Sequence, residues 1–289
     1  MPSLTPSVTS YAPRSQGRRW PLFFAVSFGA VLFLSGCSML PASVDADVPV
    51  ARRIDALMPA DVLLLGEQHD APDHHRIERE TVEALVSQGK LAALAIEMAE
   101  DGGSTAKLPA TASEARVQDA LKWNDKAWGW DDYGPAIMAA VRAGVPVIGA
   151  NLPLAHIKAA MADVSLDAQL SDSGRETQQA AVRAGHCDLL PESQIGPMTR
   201  VQIGRDRAMA QAIAKALQPG KTVLLISGAG HATKTIGVAQ HLPTELSIKS
   251  VQLQAGANAG EQDRAKGYDA IWMTPALPEK DYCASLRKG

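Results

Sequence analysis

Short unbroken apolar runs alternate along this chain with longer stretches of helical spacing. Asp61 to Leu65 (DVLLL), Leu91 to Met98 (LAALAIEM), Val145 to Ala150 (VPVIGA) and Thr222 to Ser227 (TVLLIS) read as strands, and Leu246 to Leu253 and Tyr268 to Trp272 as two more. Helical spacing marks residues 74–88, 113–121 and 133–142, with a short piece around 232–236. Apolar runs that do not alternate belong to strands buried on both faces, and helices between them supply the crossovers. The pattern predicts an α/β fold, a mainly parallel sheet flanked by helices. A helical excursion over about 153–217 interrupts it, with helices near 154–163, 174–184 and 202–217 and an irregular stretch at 187–199. Residues 254–266, rich in Gly and Ala, read as an exposed loop.

The first residues follow another pattern. Arg14, Arg18 and Arg19 precede fifteen uncharged, mostly apolar residues, Trp20 to Leu34, and Leu34-Ser35-Gly36-Cys37 follows as a lipobox. That run suits an export signal and is short for a membrane span of about 20 residues. Residues 1–36 are therefore expected to be a lipoprotein signal peptide, with Cys37 lipidated and residues 37–54 a lipidated N-terminus and tether. Residues 55–289 are expected to form a single domain. The expected location is the cell envelope, lipid-anchored, and the outer membrane if the host is diderm, since Ser38 follows the cysteine.

Without residues 1–36 the chain is 253 residues long, and losing three arginines moves its formal charge from −3 to −6. All four Phe leave with the leader, so the interior must be built from Ala, Leu, Val, Ile and Met. An acidic chain without a basic cluster is a poor nucleic-acid binder, so no nucleic-acid partner is expected. Cys187 and Cys283 are an even pair in a chain bound for an oxidising compartment, and a disulfide between them is expected.

Function in a parallel sheet gathers beyond the carboxyl ends of strands. Gly66-Glu67-Gln68-His69-Asp70 follows the first strand, Glu97 closes the second, Asn151 the third, and Gly228-Ala229-Gly230-His231 the fourth. Glu67, His69, Glu97, Asn151 and His231 would face one crevice if their strands are adjacent or nearly so. An extended backbone would put Glu67 and His69 on the same side. His74 and His75 open the next helix, and Tyr133 ends a tract holding Trp123, Trp128 and Trp130, which reads either as a platform for a flat ligand or as core. Dinucleotide and phosphate loops, the His-Glu-x-x-His helix and the Gly-x-Ser-x-Gly elbow are missing from the sequence.

Taken in order, several blocks resemble the ChaN-like haem-binding lipoproteins of the wider Tiki, TraB and erythromycin-esterase superfamily. They include Val62 to Asp70 with Pro72 to His75, Ala95 to Met98, Trp128-Gly129-Trp130, Tyr133-Gly134-Pro135, Gly149 to Pro153, His186-Cys187, Arg205-Asp206, Gly228 to His231 and Trp272 to Pro275. The resemblance implies an exported lipoprotein that binds haem or an iron compound for uptake, without turnover. It also implies a homodimer around stacked haems and an outer-membrane haem receptor as partners. A tyrosine is implied at the iron, and Tyr133 is the candidate. Tyr268 and Tyr282 are the alternatives, and His74, His75 or His69 the imidazoles that would serve instead. The enzymatic branches imply the other reading, a metal- or histidine-assisted hydrolase. There a divalent metal ion held by His69, His231 and the carboxylates of Glu67 or Glu97 would activate water.

Overall fold

Within the strand Val62–Glu67 (β2), alternate residues feed two separate cores, as a period of two requires. Leu63 and Leu65 join a cluster with Ile77, Leu85, Tyr133 and Ile137, while Val62 and Leu64 join one with Met209, Ile213, Val223 and Leu225. A strand packed on both faces sits inside a layered α/β fold. In the computed structural model that follows, the residues described are 42–44, 48–256, 267–284 and 287. Residues 39–289 form one unit by internal contact; Cys37 and the expected signal segment lie outside the described residues.

In chain order the other elements are β1 (Ala42–Val44), α1 (Val50–Leu57), α2 (Pro72–Ser87), β3 (Leu91–Glu100), α3 (Glu114–Leu121), α4 (Trp130–Arg142) and β4 (Val147–Asn151). After β4 come α5 (Ile157–Ala162), α6 (Asp172–Gly185), α7 (Glu192–Ala216), β5 (Thr222–Gly228), α8 (Ala229–Ala232), β6 (Ile248–Ala255) and β7 (Ala270–Thr274). The described strands make one seven-stranded sheet, ordered β1-β7-β6-β2-β5-β3-β4, and every pair is parallel. Helices α1, α2, α3 and α4 supply the core of one face, and α7 and α8 that of the other. The long excursion between β4 and β5 lets β5 return between β2 and β3. The three strand ends carrying Glu67, Glu97 and Gly228 are thus neighbours.

Two expectations need correction. The segment read as a tether holds β1 and the start of α1: Ala42, Ser43 and Val44 pair with Ala270, Ile271 and Trp272, covering an edge that β7 would otherwise expose. The stretch read as irregular, 187–199, is mostly helix, because α7 begins at Glu192 and contains both Gly196 and Pro197. Pro197 lies near its first turns, where few intrahelical donors are lost, and burial of Ile195 and Thr199 offsets the two breakers. Cys187, just past α6, is bonded to Cys283, 96 residues on, which ties the C-terminal segment to the excursion.

Candidate functional site

Gly66 lets the end of β2 lie against the short helix that follows β5. A Cβ there would stand 2.8 Å from both Ala229 Cα and Ala232 Cβ. Two Gly-x-x-His turns, Gly66 to His69 and Gly228 to His231, are thereby brought side by side. They open on a cavity of about 650 Å³ lined by, among others, His69, Trp128, Tyr133, Ala229, Leu253 and Tyr282.

Glu67 continues the series Leu63, Leu65 and therefore faces α2 and α4. It is buried, and its Oε1 accepts hydrogen bonds from His69 Nδ1 at 2.7 Å and the Tyr133 hydroxyl at 2.9 Å. Its Oε2 lies 3.3 Å from His75 Nε2. Burial alone would raise this carboxyl, but the neighbouring imidazoles of His69 and His75 prevail and hold it at about 2. Glu67 is an anion at any physiological pH. His69 shows the counterpart: burial works to lower it, and the Glu67 hydrogen bond and charge raise it above the ordinary imidazole value. With 40 % of its side chain exposed, His69 is the imidazole that the cluster presents to the cavity. Its ring stands edge-on to Trp128, centroids 4.8 Å apart.

Glu97 occupies the other face of the sheet. Its ladder to β5 ends at Ile96, and the pairing with β4 slips between Ile96 and Glu100, so the carboxylate sits where the strands splay. Glu97 Oε2 accepts from the Gly228 amide at 2.8 Å, and Oε1 lies 3.5 Å from His231 Nε2. His231 Nδ1 donates to buried Asp206 Oδ1 at 2.7 Å. Burial works to lower the His231 pKa, but the charges of Glu97 and Asp206 raise it to about 9. Burial lifts Asp206 to about 6, against the pull of His231. At neutral pH the group is an imidazolium clasped by two carboxylates. The two clusters meet at Gly228, where a Cβ would come within 3.0 Å of His69 Nε2 and 3.6 Å of Glu97 Oε2.

The other sequence candidates lie beneath the cavity or away from it. His74 is fully buried; its Nδ1 accepts from the Gln68 amide at 2.9 Å and its Nε2 donates to Thr274 Oγ1 at 3.1 Å. Burial depresses it to about 4, so it stays neutral and ties the β2 turn to β7. His75 is buried between Glu67 and Asp132. Tyr133 is 3 % exposed, and burial followed by the Glu67 charge pushes its hydroxyl far above the ordinary phenol range. A phenolate at Tyr133 facing Glu67 is unfavourable, so its hydroxyl is a donor holding Glu67, and the expectation that it meets iron finds no support in this geometry. Tyr268 gives its hydroxyl to the Ala229 carbonyl at 2.6 Å. Of the tryptophans, Trp128 lines the cavity, whereas Trp130 is core and donates to Glu114 at 2.9 Å. Asn151 lies at the end of edge strand β4. The expected metal set of His69, His231, Glu67 and Glu97 is not assembled. Among the described residues, the group with ligand atoms within 4.8 Å of one another is Glu67, His75 and Glu78. Glu67 and Glu97 leave opposite faces of the sheet, which keeps them apart.

Glu78 and Asp206 were not singled out from the sequence as site residues, although both had a signal, and Tyr282 was named there only as an alternative iron ligand. Glu78 falls on the apolar stripe Thr81, Val82, Leu85 of α2, and Asp206 on that of Ile203, Met209 and Ile213 of α7. An acid on a buried stripe needs a partner. Tyr282 carried no such signal. It reaches the cavity rim because Cys283 is held, and there its hydroxyl donates to Asp70 Oδ2 at 3.0 Å and accepts from Gln68 Nε2 at 3.1 Å.

Fold and site define an α/β protein whose ligand cavity lies beyond the carboxyl ends of adjacent parallel strands, built on two Gly-x-x-His turns. The family model described as haem-binding uptake, Tiki superfamily, ChaN matches residues 53–242, and the chain belongs to that family. A solved structure titled "Cofacial heme binding to ChaN of Campylobacter jejuni" superposes with a TM-score of 0.62 at 24 % identity, over 76 % of this chain and 89 % of that one. The type III effector HopBA1 is a more distant likeness, with a TM-score of 0.48 at 14 % identity over 82 % of this chain and 98 % of the other. No curated protein matches the sequence.

Proposed function

We propose that this chain is an exported, lipid-anchored protein that binds haem as cargo for uptake and does not turn it over. The observation that carries the reading is the cavity at the β2 and β5 ends. It combines apolar wall residues, Trp128 and Leu253, with an imidazole whose protonated form Glu67 favours, His69, and an exposed phenol, Tyr282. A porphyrin needs those three things: apolar area for the ring, a cation for a propionate, and an oxygen or nitrogen for the iron. Tyr282, 52 % exposed, is the phenol that reaches iron by giving up its contacts with Asp70 and Gln68, and Lys280 Nζ lies 4.9 Å from its ring centroid. The cavity's openness to solvent suits a second copy closing over the other haem face, the cofacial arrangement named for the Campylobacter protein. An outer-membrane haem receptor is the matching partner for passing the cargo on.

Binding without turnover fits the electrostatics. His231 is held protonated by two carboxylates and is not free to act as a general base at neutral pH, and Glu67 favours the protonated form of His69. In a haemin titration, the wild-type chain is expected to give a saturable Soret band at micromolar haemin. Tyr282→Phe is expected to shift that band and weaken binding about tenfold, the loss of one good contact of about 1.4 kcal/mol, while Tyr133→Phe leaves the band position unchanged. Absence of any saturable change in the wild type would overturn the reading, and ester or peptide hydrolysis lost in Glu97→Gln would replace it with the hydrolase.

The membrane anchor rests on the lipobox at Cys37. Cys37→Ser is expected to move the protein out of the membrane fraction and abolish the mass added by acylation. Equal membrane retention of that variant would count against lipidation. Among the described residues no helix is long and apolar enough to cross a membrane.

A further inference from the structure

The lower half of the Glu67 cluster has an unmet demand for positive charge. Glu67 Oε1 is saturated by His69 and Tyr133, but Oε2 on the other side has no hydrogen-bond partner, nor has His75 Nε2. Glu78 is completely buried, and neither of its carboxyl oxygens has a hydrogen-bond partner. These atoms face one another in the interior, all within 4.8 Å. Two carboxyl groups and an imidazole sharing a dry space need either protons or a cation between them.

The arrangement favours a cation. His75 and Glu78 are three apart on α2 and project from one side of the helix toward the end of β2. Glu67 Oε2 and His75 Nε2 are 3.3 Å apart. Ligands at about 2.0–2.1 Å from a tetrahedral ion stand about 3.3 Å from each other, so two donors already have that spacing. The supports that metal ligands usually have are present too. The second oxygen of Glu67 is fixed by two donors, and His75 Nδ1 is 3.6 Å from Asp132 Oδ1. One nitrogen and two carboxylates make a borderline donor set, suited to Zn²⁺ or Mn²⁺ rather than to Cu⁺ or K⁺.

We propose that Glu67, His75 and Glu78 form a binding site for one divalent first-row metal ion, beneath the ligand cavity and on the α2 side of the sheet. Glu78 ligates as the carboxylate, and three protein ligands leave at least one coordination position for water. The ion clamps α2 to the end of β2 and fixes the carboxylate that orients His69 and Tyr133. This assignment does not depend on haem, and it uses a different set from His69, Glu97 and His231.

The test uses haem-free, full-length protein stripped with chelator, reloaded with Zn²⁺ or Mn²⁺, desalted and analysed for metal. About one equivalent per chain is expected for the wild type, with a rise in melting temperature on loading. Glu78→Gln and His75→Ala are each expected to lower retained metal more than tenfold and remove the thermal shift. His231→Ala should keep both. Co²⁺ loading should add visible d–d bands that Glu78→Gln lacks, a readout a merely structural role would not move. If Glu78→Gln fails to fold, His75→Ala carries the same comparison. The proposal is overturned if the wild type retains no metal, or if metal is lost in His231→Ala and kept in Glu78→Gln. A metal-free wild type with unperturbed Glu78→Gln would assign the space to a shared proton instead. Metal content is read on haem-free protein and the haemin titration on chelator-treated protein, so the two readings fail separately.

Discussion

Glu67→Ala is expected to cost about 3–5 kcal/mol of folding stability, the range for removing one partner of a buried charged pair, and to lower the melting temperature by on the order of 10 °C. The size follows from what the substitution leaves behind. Glu67 is buried, and one of its oxygens takes the hydrogen bonds of His69 and Tyr133 at 2.7 and 2.9 Å while the other faces His75 at 3.3 Å. Alanine leaves the buried Tyr133 hydroxyl with nothing to donate to and takes from His75 its nearest carboxylate, in a space too apolar to hydrate them well. An exposed ion pair such as Arg76–Glu80 is the control; Glu80→Ala should cost under about 0.5 kcal/mol. Urea unfolding of chelator-treated protein checks both without a metal contribution. A cost below about 1 kcal/mol for Glu67→Ala would mean that water replaces the carboxylate. The acid limb adds a second signature. Because Glu67 is depressed to about 2 when folded, its contribution is complete above the ordinary carboxylate value of 4.5 and is lost as pH falls toward 2. That part of the acid unfolding curve should be missing from the alanine variant.

Glu67 also explains what could be read from the sequence and what could not. The apolar runs were enough for the sheet, because a strand buried on both faces must be continuously apolar. Glycine-terminated ends then placed Glu67, Glu97 and His231 at the functional edge. Strand order was not legible: only the return of β5 between β2 and β3 makes those ends neighbours, and it depends on the long excursion packing over the sheet. Face assignment was partly legible. Glu67 and His69 do share a side, through their hydrogen bond, and Glu97 follows Ala93 and Ala95 toward α7 by ordinary alternation, but a continuously apolar strand does not tell which face is which. The histidine-rich start of α2 read as ligand chemistry, whereas His74 is a neutral core residue tying Gln68 to Thr274. Tyr282 is the opposite case. A residue in a segment without strong secondary structure becomes part of the cavity through one disulfide and the Asp70 contact.

His231 should make the protein lose stability in mildly alkaline solution, by about 3 kcal/mol between pH 6.5 and 9.5, since each unit of pKa difference is worth about 1.4 kcal/mol. Its folded pKa of about 9 exceeds the ordinary 6.5, so the native state holds the proton more tightly than the unfolded chain. The contribution is therefore complete below pH 6.5, fades as pH rises, and is gone above about 9. The groups facing the ring are Glu97 and Asp206, which favour the charge, and Arg205, which opposes it. Asp206 titrates near 6 and is ionised across the window, so it supplies attraction without adding to the slope. His69 is raised as well and contributes in the same direction, so His231→Gln should flatten the decline without abolishing it. Urea midpoints of both proteins at pH 6.5 and 9.5 measure the difference, and parallel declines would remove His231 from the explanation. Deprotonation of His231 also leaves Glu97 without its nearest cation, beside the Gly228 amide and His69. The same pH rise also titrates His69, whose protonated form Glu67 favours, and so weakens its hold on an anionic ligand. The alkaline limb of haemin affinity is then expected to follow that of stability in the wild type and to be shallower in His231→Gln.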